Sequence, residues 1–210
     1  MTIEEIIKKA IAGDVNAMII IGDSYASDGD ITNYDSMINA LPWYERAADA
    51  GSCYGAMQAA LIYKIFAIAS EKIPDLKGAI AEYEKVIEMT DRVFKMRDID
   101  KDTMLSAKED HIKAHYKVAR CYYILQEYGM GMIYLNSIED MGFEEKLLKG
   151  LCEYRIDENE TGWRKTYRLL YSIEKQVLTY NGKGNMSFLE QMILAQGYIV
   201  LSHIYYFGLG

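Results

Sequence analysis

The feature that most constrains this chain is a match of the sequence to itself. Gly13, Ala17, Gly22 and Tyr25 recur as Gly51, Gly55, Ala60 and Tyr63, each pair 38 residues apart. Self-similarity at a period of this length belongs to stacked architectures, in which each repeat is one supersecondary unit that cannot bury its apolar face alone. The spacing within each copy is helical. Ala40, Trp43, Tyr44, Ala47 and Ala48 make one stripe that Gly51 stops, and Ser52 is a good N-cap for a second helix. Small residues at Gly55, Ala56, Ala59 and Ala60 alternate with Met57, Leu61 and Tyr63, a pattern that lets two helix backbones approach closely.

The remaining chain reads the same way. Thr2 and Glu5 form a capping box ahead of Ile3, Ile6, Ile7, Ala10 and Ile11, and Gly13 ends that helix. Asp14 caps the next, which carries Ala17, Ile21, Gly22 and Tyr25 to about Ala26. Pro42 predicts either a kink or a helix start near Asn39, because it removes one backbone bond. Ala40 and Ala47 have counterparts in Ala79 and Val86, with Asp75 and Tyr83 nearby. Further copies lie at Ala114, Val118, Ala119 and Tyr122, and at Gly131, Tyr134, Ile138 and Gly142. The pattern weakens through Lys146, Gly150, Leu151 and Tyr154 and through Thr166, Leu169, Leu170 and Ile173, then returns at Gly197, Leu201, Tyr205, Gly208 and Gly210.

This order of small, large and glycine residues resembles the Sel-one-like repeat, a relative of the tetratricopeptide repeat; Y-I-V-L-S-H-I-Y-Y-F-G-L-G near the end is close to that family's L-G-x-x-Y-x-x-G-x-G, with Ser202 in the first glycine's place. The resemblance is strongest over residues 10–63 and 195–210 and weakest over 143–186. Roughly twenty extra residues around Met89 to Glu109 lengthen the second and third pairs. It implies an all-α fold, a right-handed α-solenoid of antiparallel helix pairs. Residues 1–210 then form a single domain of about four and a half pairs, standing as the N-terminal part of a longer array if further repeats follow. Tyr25, Tyr63, Tyr122, Tyr154 and Tyr205 become equivalent positions packed between helices.

Composition narrows the function class. Half of the 210 residues are apolar, and the net charge of −8 argues against a nucleic-acid or anionic-membrane binder. Cys53, Cys121 and Cys152 are odd in number and widely spaced, as small buried hydrophobes in a reducing compartment are; with no signal peptide visible, the expected location is cytoplasmic. His111 and His115 have the four-residue spacing of a metal pair but lack a third ligand. Asp28, Asp30 and Asp35 approach a calcium loop, but Asn33 and Asn39 replace its turn glycine and its glutamate. G-K-G-N-M-S at 182–187 lacks phosphate-loop spacing. No metal, no cofactor and no catalytic set is expected. The uncharged run Met192 to Gly210 fits a packed repeat helix better than a membrane span.

The resemblance implies a protein-interaction scaffold that holds a partner or peptide in a groove lined by the first helix of each pair. The other reading is a regulatory or accessory domain of a larger protein that contacts its own missing C-terminal part. The polar and aromatic residues at the family's ligand-facing positions are Asn16, Asp23, Tyr54, Lys64, Lys113, Tyr116, Arg120, Tyr123, Glu145, Arg155, Gln196, His203 and Tyr206. Their four cations suggest an acidic or carboxylate-bearing peptide. The apolar residues Ile199, Val200, Leu201, Ile204, Tyr206 and Phe207 suggest that two chains could pair through the C-terminal helix.

Overall fold

The computed structural model describes residues 2–27, 34–157, 163, 166–167 and 188–206. Every described element is an α-helix: α1 (Ile3–Ile11), α2 (Val15–Ser27), α3 (Tyr34–Asp49), α4 (Cys53–Lys72), α5 (Leu76–Lys95), α6 (Lys101–Ile124), α7 (Tyr128–Asn136), α8 (Phe143–Ile156) and α9 (Phe188–Tyr206). The calcium-like residues Asp28 and Asp30, the G-K-G-N-M-S stretch at 182–187 and Phe207 to Gly210 lie outside the described residues.

The helix ends are set locally, at Thr2, Asp14, Ser52, Gly13 and Gly51 as the sequence predicts and at Asp75 in addition. Thr2 and Glu5 cap one another's backbone at the start of α1, Asp14 accepts from the Ala17 amide at 3.0 Å, Ser52 from Gly55 at 3.0 Å and Asp75 from Gly78 at 2.9 Å. Gly13 and Gly51 take φ of +100° and +89°. At each, the next amide reaches back to the helix, Asp14 to the Lys9 carbonyl and Ser52 to the Ala47 carbonyl, closing a Schellman turn. The helix does not start near Asn39: α3 begins at Tyr34 and runs through Pro42. Proline costs that helix only the bond to the Ile38 carbonyl, and both Ile38 and Pro42 are exposed, so water replaces it.

The chain divides into two compact units, Met1–Ala114 and His115–Gly210, although the sequence carries no linker there. In the first, each helix packs on the next in order, α1 on α2, α2 on α3, α3 on α4 and α4 on α5. Ala10, Ala17, Met18, Ile21 and Ala47 form a shared cluster, with Ile6, Val15, Ile19 and Trp43 against it. Small residues permit the close contacts: a Cβ on Gly55 would stand 2.8 Å from the Ala47 Cβ and from the Tyr44 carbonyl, and one on Gly22 would stand 2.7 Å from the Tyr44 ring. In the second unit α7 and α9 each pack on α8. Gly131 lies against the Ala119 carbonyl and Gly197 against Leu147.

The five tyrosines are not equivalent in their packing. Tyr63 is buried, Tyr122 and Tyr154 are half-buried, and Tyr25 is 41% exposed; the Tyr205 side chain lies outside the described residues. The contrast between the first two has a simple cause. Tyr25 sits in the last turn of α2, whereas α4 continues from Tyr63 to Lys72 between α3 and α5. In α9, Val200 and Leu201 are buried while Ile199 and Tyr206 are exposed.

Candidate functional site

α4 is apolar on two faces, and only one of them is explained by the core. Its inner face, Gly55, Ala56, Ala59, Ala60, Ile62, Tyr63 and Ala67, is buried. On the opposite side Tyr54, Leu61 and Ile68 remain 46%, 42% and 42% exposed. Residues seven apart are nearly two turns apart, so these three form one line along the helix, with Gln58 and Ile65 half-buried between them. The double apolarity makes α4 long and apolar enough to cross a membrane by length and composition alone. Its small inner residues are instead packed against other helices.

Polar side-chain links tie α2 and α6 to α4. Asp23 of α2 accepts from the Tyr44 hydroxyl at 2.7 Å and from the Tyr54 hydroxyl at 3.0 Å. Burial, followed by these bonds to the carboxylate, raises the pKa of both phenols. Lys64 of α4 pairs with Asp110 of α6 at 2.8 Å. A second set ties α3 to α4 and α5: the Tyr63 hydroxyl donates to Glu45, and Arg92 bridges Asp49 and Glu88. Glu82 nearby has one carboxylate oxygen fully buried without a hydrogen bond, and burial raises its pKa while Lys85 opposes the shift.

The thirteen residues selected from the sequence are distributed over both units. In the first, Asn16 and Tyr54 are exposed, Asp23 and Lys64 are engaged as described, and Lys113 is exposed beside Glu109 at 3.6 Å. In the second, Tyr116, Arg120 and Tyr123 are buried, with Arg120 at 0% exposure. These three are interior residues and cannot face a ligand-filled groove. The Tyr123 hydroxyl donates to the side-chain carbonyl of Gln196, and burial raises its pKa against the pull of Arg155. Arg155 and Tyr206 are exposed and Glu145 is half-buried. Tyr154 and His203 share a hydrogen bond, and Trp163 stands edge-on to the His203 ring at 5.4 Å.

Of the four cations that pointed to an acidic peptide, Arg120 is therefore interior and Lys64 is neutralised by Asp110. The residues that selection missed are Leu61 and Ile68. Their signal was present as the seven-residue spacing from Tyr54, but keeping only polar and aromatic residues discards it.

Other constellations carry less chemistry than their residue types suggest. The Thr90 hydroxyl lies 2.9 Å from His111 Nδ1, and Asp91 approaches that same nitrogen at 3.7 Å. A nucleophile–base–orienter relay needs its two partners on opposite ring nitrogens, and Thr90 is fully buried. His115 packs on Tyr134 at 5.8 Å between ring centroids. Among the described residues no group of three or more His, Cys, Asp or Glu is placed to hold a metal. Cys121 and Cys152 are buried, and burial pushes the Cys152 thiol up to about 12.

His111 makes a pH prediction. Burial lowers its pKa, and the Asp91 carboxylate opposes that shift less strongly. In the window between the unfolded value of about 6.5 and the lower folded value, the unfolded chain binds the extra proton, so stability rises with pH. The contribution is full above that window and is lost as pH falls through it. Urea midpoints from pH 8 to 5.5 should therefore drop more for wild type than for His111→Gln; parallel curves would contradict this.

A search for similar proteins found no match to any protein-family model, curated protein or solved structure.

Proposed function

We propose that the chain is a non-catalytic protein-interaction scaffold of tetratricopeptide-like or Sel-one-like helix pairs, and that it takes an apolar, amphipathic segment of a partner along the Tyr54–Leu61–Ile68 line of α4. The supporting observation is the double apolarity of α4. Close packing with α3 and α5 accounts for its small inner residues, and among the described residues no packing contact buries the large apolar side chains two turns apart on the other side. Completing the burial of Leu61 and Ile68 is worth about 1 kcal/mol each. An amphipathic helix with apolar residues at three- and four-residue spacing matches such a line. The links Asp23–Tyr54 and Lys64–Asp110 keep α2 and α6 alongside, so the surface is pre-organised for binding.

The test is selection from a random peptide library against the wild-type chain. Enriched peptides should carry that apolar spacing, should bind as well or better as salt rises, and should lose at least tenfold affinity for the double variant Leu61→Glu/Ile68→Glu at unchanged melting temperature. Acidic peptides whose binding weakens with salt and ignores the double variant would overturn the reading, because exposed charge pairs are screened and apolar contacts are not.

A further inference from the structure

The apolar face of α1 is wider than the part its neighbour covers. Ile3, Ile6, Ile7, Ala10 and Ile11 fall within about 140° of the helix circumference. Ile6 and Ala10 pack into the cluster shared with α2 and α3. The others do not: Ile3 is 77% exposed, Ile11 70% and Ile7 38%. They form a straight ridge beside the covered half. The ridge is rigid, because the capping box at Thr2 and Glu5 and the left-handed turn at Gly13 fix both ends of the helix.

We infer that this ridge is covered by a second copy of the chain, through two-fold antiparallel pairing of α1 with its counterpart. Three isoleucines spaced four apart are symmetric about Ile7. An antiparallel partner therefore sets Ile3 against Ile11 of the other copy, Ile7 against Ile7 and Ile11 against Ile3, which is the self-complementarity a two-fold interface requires.

The charges beside the ridge fit the same arrangement. One flank is taken up by α2. The free flank carries Glu4 and Lys8, both exposed, and neither makes an ion pair or hydrogen bond among the described residues. In an antiparallel pair the free flanks of the two helices face one another, so Glu4 of each copy meets Lys8 of the other, two reciprocal pairs. A parallel pair would press the free flank of one copy onto the α2-covered flank of the other. With only nine residues in α1, the contact is short, and the dimer is of the weak, concentration-dependent kind.

Sedimentation and light scattering of the full chain across a wide concentration range test this. The wild-type mass should rise from the 24.0 kDa of one chain toward twice that. Ile11→Ser, or Ile3→Ser should the first variant fail to fold, should hold the chain at the single mass with helix content unchanged. Glu4→Lys and Lys8→Glu should each weaken association several-fold, and the two together should restore it. A wild-type chain that stays at the single mass throughout would overturn the inference, as would a dimer indifferent to Ile11→Ser. So would a chain that does not self-associate but binds phosphatidylcholine–phosphatidylserine vesicles through the ridge.

Discussion

Reversing the charge at Arg120 should unfold the second unit. Arg120 lies on α6 at 0% exposure, in a run where Val118, Ala119 and Cys121 are also fully buried. Arg120→Glu removes the interactions of a fully buried guanidinium and puts in its place a carboxylate whose charge must be desolvated. Leaving an uncompensated charge buried costs about 3–5 kcal/mol, against a total of about 5–15 kcal/mol for a typical domain. Arg120→Met removes the charge without burying another and should cost far less. Lys113→Glu, on the exposed side of the same helix, should change stability by no more than about 0.5 kcal/mol. The two tryptophans fall one in each unit, Trp43 in the first and Trp163 in the second. Fluorescence of Trp43→Phe proteins in denaturant therefore reports the second unit alone. An Arg120→Glu midpoint equal to that of Lys113→Glu would mean that Arg120 is not interior.

Ala47→Leu should destabilise the first unit by about 1–3 kcal/mol, toward the upper end. Ala47 is fully buried and belongs to the cluster that joins α1, α2 and α3. Its Cβ also faces α4, where even a methyl on Gly55 would come within 2.8 Å. A leucine adds carbons toward α4 at Gly55, where the facing surface is backbone with no side chain, and backbone cannot turn aside as a long side chain can. Gly22→Ala should act in the same direction, because the Tyr44 ring it strikes is itself held by Asp23. The check is the thermal midpoint, at about 4–8 °C per kcal/mol for a domain near this size. An unchanged midpoint would show that α3 and α4 do not meet at Ala47.

These cases show which features were legible beforehand. Caps at Thr2, Asp14 and Ser52 and stops at Gly13 and Gly51 depend on residues within a turn of one another, so sequence spacing suffices to find them. Small residues at Gly55 and Ala47 also announce close approach, because little else rewards glycine inside a helix. Arg120 was not legible. Its type argues for the surface, and only long-range packing around α6 decides otherwise. The start of α3 was left open between two positions because a proline can end a helix, and only the fold shows that its single lost bond falls on the solvent side. Leu61 and Ile68 were hidden in another way: an apolar residue on a periodic helix reads as core, and only the fold reveals which apolar residues stay exposed among the described residues. The all-helical architecture was open to reading from the sequence, and the division of the chain within α6 carried no compositional sign.

The most direct measurement is photo-crosslinking from Leu61, using an unnatural photoreactive residue in place of leucine, in extracts of the cells that make the protein. Ile133 on α7, 59% exposed, serves as an equally apolar control in the other unit. The account predicts a discrete protein adduct from Leu61, competed away by a library-selected amphipathic peptide and absent from Ile133. No protein adduct from Leu61, a lipid adduct there, or equal labelling from Ile133 would contradict it.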